Sequence, residues 1–302
     1  MSILVVGSVA FDSVETPFGK ADEVLGGSAT YFSTSASYFT DVKLVAVVGE
    51  DFPDEHIDKL KGHGVDVGGL KKVPGKTFRW KGRYEYDLNQ AHTLDTQLNV
   101  FSTFNPEVPD SYRDSAFVFL ANIDPELQMK VLEQVRTPKL VACDTMNFWI
   151  GGKPEALKKL LKKVDLFVIN EGEARELAGE ASLVKAARII MNFGPKILII
   201  KRGEYGALMF NGKSVFSAPA YPLENIFDPT GAGDSFAGGL MGYLANTGDL
   251  SEENIRKAII FGSVMASFNV EAFSLQRLSA LKLEEIRERY SEFKRLTHFE
   301  DI

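Results

Sequence analysis

The sequence predicts an α/β protein with a mostly parallel central sheet flanked by helices and a small second sheet. Three observations carry that prediction. Short apolar runs recur along the chain, amphipathic helical patterns lie between them, and one segment breaks the rhythm by strict alternation. The runs are ILVVG (3–7), VKLVAVVG (42–49), AFVFLA (116–121), KLVAC (139–143), DLFVI (165–169) and KILII (196–200). They are continuous and rich in β-branched residues, which suits strands buried on both faces.

Between the later runs, PEALKKLLKKV places Leu157, Leu160, Leu161 and Val164 on one helical face. SLVKAARIIMNFG does the same with Val184, Ala187, Ile190 and Met191, and Gly194 is its expected C-cap. Strands alternating with helices mean βαβ units and parallel pairing. LEEIRERYSEFKRL near the end reads as a solvated surface helix.

The exception is KTFRWKGRYEYDL, residues 76–88. Phe78, Trp80, Tyr84, Tyr86 and Leu88 fall on even positions with Gly82 among them, and charged residues dominate the odd ones. That is a period of two, with one aromatic and one charged face. The segment predicts a small sheet inserted in a single 1–302 domain, built from about 13–25 and 74–103. Two roles stand open for it: an edge strand packed on the main core, or a separate sheet that lids a ligand or joins two copies into a homodimer.

Composition excludes several classes. The formal net charge is −7 and the pI about 5.3, so no basic face for nucleic acid is expected. No run of eighteen apolar residues occurs, and the N-terminus lacks a signal-peptide pattern, so neither a membrane span nor secretion is expected. The single cysteine, Cys143, cannot form an internal disulfide and reads as a buried thiol, which points to a cytoplasmic location.

The densest signal is IFDPTGAGDSFAGGL, residues 226–240. Phe236, Leu240, Tyr243 and Leu244 follow at helical spacing, so GAGD opens a helix. The first N–H groups of a helix lack internal partners and the dipole is positive there. Gly231 and Gly233 let the backbone aim its N–H groups at one point, which makes an anion site suited to phosphate. Asp234 at the same end is either a helix cap or a base that takes the proton from an attacking hydroxyl during phosphoryl transfer. With an ordinary carboxylate pKa of about 3.9 such a base is weak, leaving most of the rate to positioning and charge stabilisation. No Walker A loop, dinucleotide fingerprint, zinc-protease motif or nucleophile elbow is present, and His56, His63, His92 and His298 are scattered.

DPTGAGDSFAGGLM (228–241) resembles the C-terminal signature of the ribokinase family, also called the PfkB carbohydrate kinases. GSVAFD (7–12), LGG (25–27), NEGE (170–173) and KRGEYGA (201–207) resemble other family segments in the expected order. The resemblance spans about residues 3–270. It implies a ribokinase-like fold and ATP-dependent phosphorylation of a hydroxymethyl group on a sugar or nucleoside. It implies Asp234 as base, Gly231, Ala232 and Gly233 as anion hole, and Asp12, Gly26, Gly27, Ser28 and Tyr31 at the acceptor. It further implies Asn170, Glu173, Lys201, Gly203 and Gly206 at the nucleotide. Asn170 and Glu173 would hold Mg2+ through water, and Asp228 a monovalent cation such as K+.

Two segments depart from the family pattern. GGSATY puts Ser28 and Tyr31 where asparagines usually stand, which disfavours free ribose. DTMNFW (144–149) has Trp149 in place of an arginine. With the aromatic residues of 78–86, these changes suit a nucleoside, unless Tyr31 and Trp149 are simply core. A sugar phosphate fits less well, because Arg79, Lys81 and Arg83 lie on the other face of their strand. A catalytically inactive, ligand-binding relative is the rival of a different class, and the intact base and anion hole weigh against it.

Overall fold

The computed structural model describes residues 1–298 and 300. Its strands are β1 (Ile3–Val6), β2 (Ala10–Thr16), β3 (Gly19–Gly26), β4 (Val42–Gly49), β5 (Val65–Val73), β6 (Arg79–Tyr84), β7 (Ala91–Gln97), β8 (Phe117–Leu120), β9 (Leu140–Cys143), β10 (Leu166–Asn170), β11 (Ile197–Lys201), β12 (Ala207–Phe210) and β13 (Val215–Ala218). The helices are α1 (Ser28–Ala36), α2 (Asp54–Gly62), α3 (Pro125–Leu132), α4 (Asn147–Gly152), α5 (Pro154–Leu161), α6 (Glu171–Ala178), α7 (Leu183–Met191), α8 (Ala232–Thr247), α9 (Glu252–Asn269) and α10 (Leu283–Thr297).

Nine strands form one sheet in the order β13-β12-β11-β10-β9-β8-β1-β4-β5. Pairing is parallel from β11 to β5, and β12 and β13 add an antiparallel edge. All six predicted runs are strands of this sheet. Its inner strands are apolar on both faces because both faces are covered. One face packs against α1, α8 and α9, the other against α3 to α7. Chain order reverses at β1, whose neighbours are β8 and β4, and the ligand crevice of an open α/β sheet is expected outside the carboxyl ends there.

Helix packing on the first face is close. A Cβ on Gly238 would lie 2.5 Å from the Phe32 carbonyl of α1, and one on Gly239 would lie 2.8 Å from the Phe261 carbonyl of α9. These two glycines of the 226–240 stretch therefore serve backbone contact between helices and bind nothing.

Four strands form the second sheet in the order β3-β2-β6-β7. Two antiparallel hairpins are joined by the parallel pair β2–β6. The period-two reading holds over Arg79–Tyr84, with Trp80, Gly82 and Tyr84 on one face and Arg79, Lys81 and Arg83 on the other. It fails at the ends. Phe78 stacks on Phe101 with centroids 5.3 Å apart, and Tyr86 lies beyond the strand and is 86% exposed. The strands of this sheet run from Ala10 to Gly26 and from Arg79 to Gln97, and 99–103 form a short 3-10 turn.

Other local readings shift too. On α7 the buried positions are Ala186, Ala187 and Ile190, while Val184 is exposed. Gly194 is not the cap, because α7 ends at Met191 and Asn192 caps it. Gly194 instead lets the chain cross Leu161, whose carbonyl would sit 2.5 Å from an added Cβ. Cys143 is buried, and burial pushes its thiol well above the ordinary range. Among the described residues, no helix is long and apolar enough to cross a membrane.

Candidate functional site

The glycine-rich loop opens α8 at the crevice. Asp228, which is fully buried, shapes the loop: its Oδ1 accepts from the Thr230 N–H at 2.9 Å and its Oδ2 from the Ser274 N–H at 3.1 Å. Gly231 is the N-cap with φ of 75°, a conformation that favours glycine. The Ala232 N–H donates to the Pro229 carbonyl at 3.1 Å. Of the three expected anion-hole amides, Gly231 and Gly233 are therefore the ones positioned to serve an anion. The Lys201 ammonium lies close to Gly233, its Nζ 2.5 Å from where a Cβ would stand. Lys201, at the end of β11, thus places its ammonium against the loop rather than only on the nucleotide side.

Asp234 follows in the first turn of α8. Burial raises its carboxyl from the ordinary 3.8 to about 7, with Lys201 opposing and Glu173 adding to the rise. That rise would make it a stronger base than the ordinary aspartate of the sequence expectation, although the residue keeps part of its surface exposed.

Asp12 lies on β2 just beyond β1. Its Oδ2 accepts from the Gly27 N–H at 3.3 Å, and a Cβ on Gly26 would be 2.0 Å from that oxygen. Gly27, with φ of 94°, also passes within 2.5 Å of the Ser8 carbonyl when given a Cβ. The diglycine is therefore the cradle for Asp12. Burial, then Asp228 and Asp234, raise Asp12 to about 7. Ser28 uses its hydroxyl and N–H on Ser8, tying α1 to the β1–β2 connection. Tyr31 is fully buried with its ring against Gly231, 2.3 Å from where a Cβ would stand. Its hydroxyl is buried without a partner, among Asp12, Asp228, Tyr84 and Asp234.

On the other side of the loop, Asn170 ends β10 and caps α6. Its Oδ1 accepts from the Glu173 N–H at 2.8 Å, and Glu173 Oε2 accepts from the Asn170 N–H at 2.9 Å. This capping box fixes both side chains at the crevice. Burial raises the Glu173 carboxyl. Arg202 pairs with Glu171 at 2.9 Å and Glu171 with Arg175 at 2.6 Å. Gly203 (φ 54°) meets Asn89 of the β6–β7 connection, whose Oδ1 would lie 2.0 Å from an added Cβ. Gly206 is glycine because the Ala218 carbonyl of β13 would be 2.1 Å from a Cβ there.

Two residues escaped the sequence reading. Asp144 directly follows β9, is buried, and leaves Oδ1 without a partner. Burial and Asp234 push its carboxyl far up, and Lys201 opposes. The signal was there: an acid directly after an apolar strand, much as Asn170 closes β10. Tyr84 of β6 is the second. Its hydroxyl accepts from Thr230 Oγ1 at 3.4 Å, which brings the small sheet onto the loop. Its strand face was legible but its reach was not. Trp149 instead turns its indole N–H to Asn122 Oδ1 at 3.0 Å.

Asp144, Glu173 and Asp234 set three carboxyls around one ammonium, Lys201. Among the described residues, no group of three or more such side chains is arranged to hold a metal ion directly. The orphaned Asp144 oxygen and the excess of carboxyls fit a hydrated Mg2+ bound through water and phosphate rather than a protein cage.

Comparison with known proteins agrees with this geometry. The description "pfkB family carbohydrate kinase" matches residues 6–281. A cytidine kinase of Thermococcus kodakarensis is 32% identical over 253 residues, covering 80% of this chain and 88% of that protein. The nucleoside kinase of Methanocaldococcus jannaschii superposes with a TM-score of 0.78 at 20% identity, covering 96% of this chain and 98% of that one. The aminoimidazole riboside kinase of Salmonella enterica, solved with its riboside and an ATP analogue, gives 0.76 at 17% identity, covering 96% and 100%.

Proposed function

The chain belongs to the pfkB family of carbohydrate kinases, and on that premise we propose that it transfers the γ-phosphoryl group of ATP to the hydroxymethyl group of a ribonucleoside. Phosphotransfer to an alcohol acceptor is the activity its relatives share. One observation carries the phosphotransfer reading: Asp234, a carboxyl raised to about 7, sits at a helix N-terminus beside Gly231, Gly233 and the Lys201 ammonium, and the 32% identical cytidine kinase favours the nucleoside as acceptor.

In this reading Asp12, seated on Gly26 and Gly27, accepts hydrogen bonds from acceptor hydroxyls. Tyr31 closes the acceptor site beneath Gly231, and Ser28 holds the backbone of that corner. Asp234 takes the hydroxymethyl proton as the new O–P bond forms. The amides of Gly231 and Gly233 and the Lys201 ammonium offset charge on the transferred group. Asn170, Glu173 and Asp144 would hold Mg2+ through water, and the ion would supply neutralisation of phosphate charge. Gly203 and Gly206 shape the turn at the nucleotide. Asp228, whose oxygens each keep a lone pair beyond their amide bonds, takes the monovalent cation. The small sheet acts as the lid. Arg79 is paired with Glu23 and Asp51, and Arg83 with Glu15, which disfavours a phosphorylated acceptor.

The test is ADP release from Mg-ATP across ribonucleosides, pentoses, hexoses and sugar phosphates, with Asp234→Asn as control. Nucleosides are expected to respond. The variant should bind Mg-ATP yet turn over about 10³-fold more slowly or worse. Wild-type turnover by Asp234→Asn would remove the base role, and a response to free sugars alone would remove the nucleoside.

A further inference from the structure

We propose that Trp80 is the platform on which the acceptor's nucleobase stacks, with Gly82 as its seat. This rests on the nucleoside reading above and deepens it. In the parallel pair β2–β6, Asp12 stands in register with Trp80 and Val14 with Gly82. Register partners in parallel strands share a face, so the indole lies on the side of the sheet that carries Asp12. Tyr84, two residues beyond Gly82 on that face, reaches Thr230 of the anion loop. Trp80 therefore shares its face with the proposed acceptor carboxylate and with a phenol that touches the anion loop.

The indole is also held flat. A Cβ on Gly82 would lie 2.2 Å from Trp80 Cη2 and 2.4 Å from Cζ2, so the benzo ring rests on the glycine backbone. The indole N–H donates to Thr93 Oγ1 of β7 at 3.2 Å, which fixes the ring's rotation. Glycine inside a strand weakens it and is kept where something must approach closely. Here the approaching group is the protein's own indole. One face of the ring is thus covered by Gly82. The side chain is only half-buried, and among the described residues no aromatic ring pairs with it. A rigid, preoriented π-face beside a hydroxyl-binding carboxylate matches a ribonucleoside, with the sugar on Asp12 and the base on Trp80. A bare sugar has no face to offer it.

Two arms test this. Trp80 and Trp149 are the only tryptophans, so Trp149→Phe leaves Trp80 as the sole indole. In that variant, titration with cytidine, adenosine or inosine should quench emission saturably, and ribose at the same concentrations should not. In the kinetic arm, Trp80→Leu should lower kcat/KM for nucleosides by about 10- to 100-fold while leaving that for ribose near its wild-type value. Gly82→Val keeps the indole but lifts it from its seat, and should reproduce the loss. The platform is overturned if nucleosides leave Trp80 emission unchanged, or if Trp80→Leu lowers nucleoside and ribose turnover alike. If ribose alone is phosphorylated, the nucleoside reading falls and the platform with it. If nucleosides are phosphorylated and Trp80→Leu handles them normally, only the platform falls. If nothing is phosphorylated, the fluorescence arm still decides the platform.

Discussion

The two sheets are built on opposite principles. The inner strands of the nine-stranded sheet bury apolar side chains on both faces: β1, β8 and β9 expose nothing. The four-stranded sheet buries little. All seven residues of β7 are exposed, and the buried residues of β2 include a carboxyl, Asp12. Burying apolar area is worth roughly 25 cal/mol per Å², so the first sheet is where stability resides. The second sheet is held by hydrogen bonds, an ion-pair tether and a few contacts to the loop. Such a region opens at lower free energy than the global transition. The more deeply buried frame thus carries the proposed base and anion hole, and the less buried sheet faces them.

The largest test of that contrast is in the frame. Phe119 is fully buried and stacks on Phe32 with centroids 4.3 Å apart. Phe119→Ala should lower global stability by about 3–5 kcal/mol in urea unfolding. A loss below about 1 kcal/mol would mean that the large sheet is not the stabilising unit.

Asp12 should behave in the opposite sense. Its carboxyl is raised from 3.8 to about 7 in the fold, so the native state favours the proton. The penalty appears as pH rises through that window and is complete above 7. Asp12→Asn should therefore stabilise the protein at pH 8, by up to about 4 kcal/mol, and hardly at pH 4, while acceptor turnover collapses. Equal effects on stability at both pH values would show that the carboxyl is not strained. The same titration governs rate. Asp12 and Asp234 both lose protons near 7, so log kcat/KM should climb with pH from 5 to 7 and level off above 8. A flat profile across that range would contradict the buried carboxylates.

The smallest effect concerns the tether. Arg79 pairs with Asp51 at 2.8 Å and Glu23 at 2.6 Å, and lies over Phe11. Arg79→Ala should speed amide exchange in β6 and β7 by about tenfold and leave exchange in β8 and β9 unchanged. Uniform acceleration would mean that the two sheets unfold together.

The contrast also explains what the sequence disclosed. Strands buried on both faces leave continuous apolar runs, and all six were legible. β5, with VDVGG at its start, and β13 are the sheet's two edge strands and leave no such run, and β12 is a four-residue ALMF that the sequence reading passed over. The GAGD loop was legible because its chemistry needs fixed spacing within a few residues. Lys201, Asp144 and Tyr84 converge on it from three separate strands, and only Lys201 was placed near the nucleotide in advance. The raised carboxyls depend on burial that no local pattern encodes. Nor could the glycines be sorted by eye: Gly231 and Gly233 serve the site, while Gly238 and Gly239 serve helix packing.

That last division has a consequence for how this scaffold can be altered. α8 carries Asp234 in its first turn and is clamped one turn later, at Gly238 and Gly239, between α1 and α9. A side chain at 238 or 239 would push α8 away from α1 or α9, so the proposed base owes its alignment to that close packing. Random libraries that touch 238 or 239 should yield dead or insoluble clones whatever the acceptor. Variation confined to the inner face of β6 leaves the clamp intact. New acceptor preferences should therefore be recoverable from the small sheet alone, with the chemical step carried over unaltered.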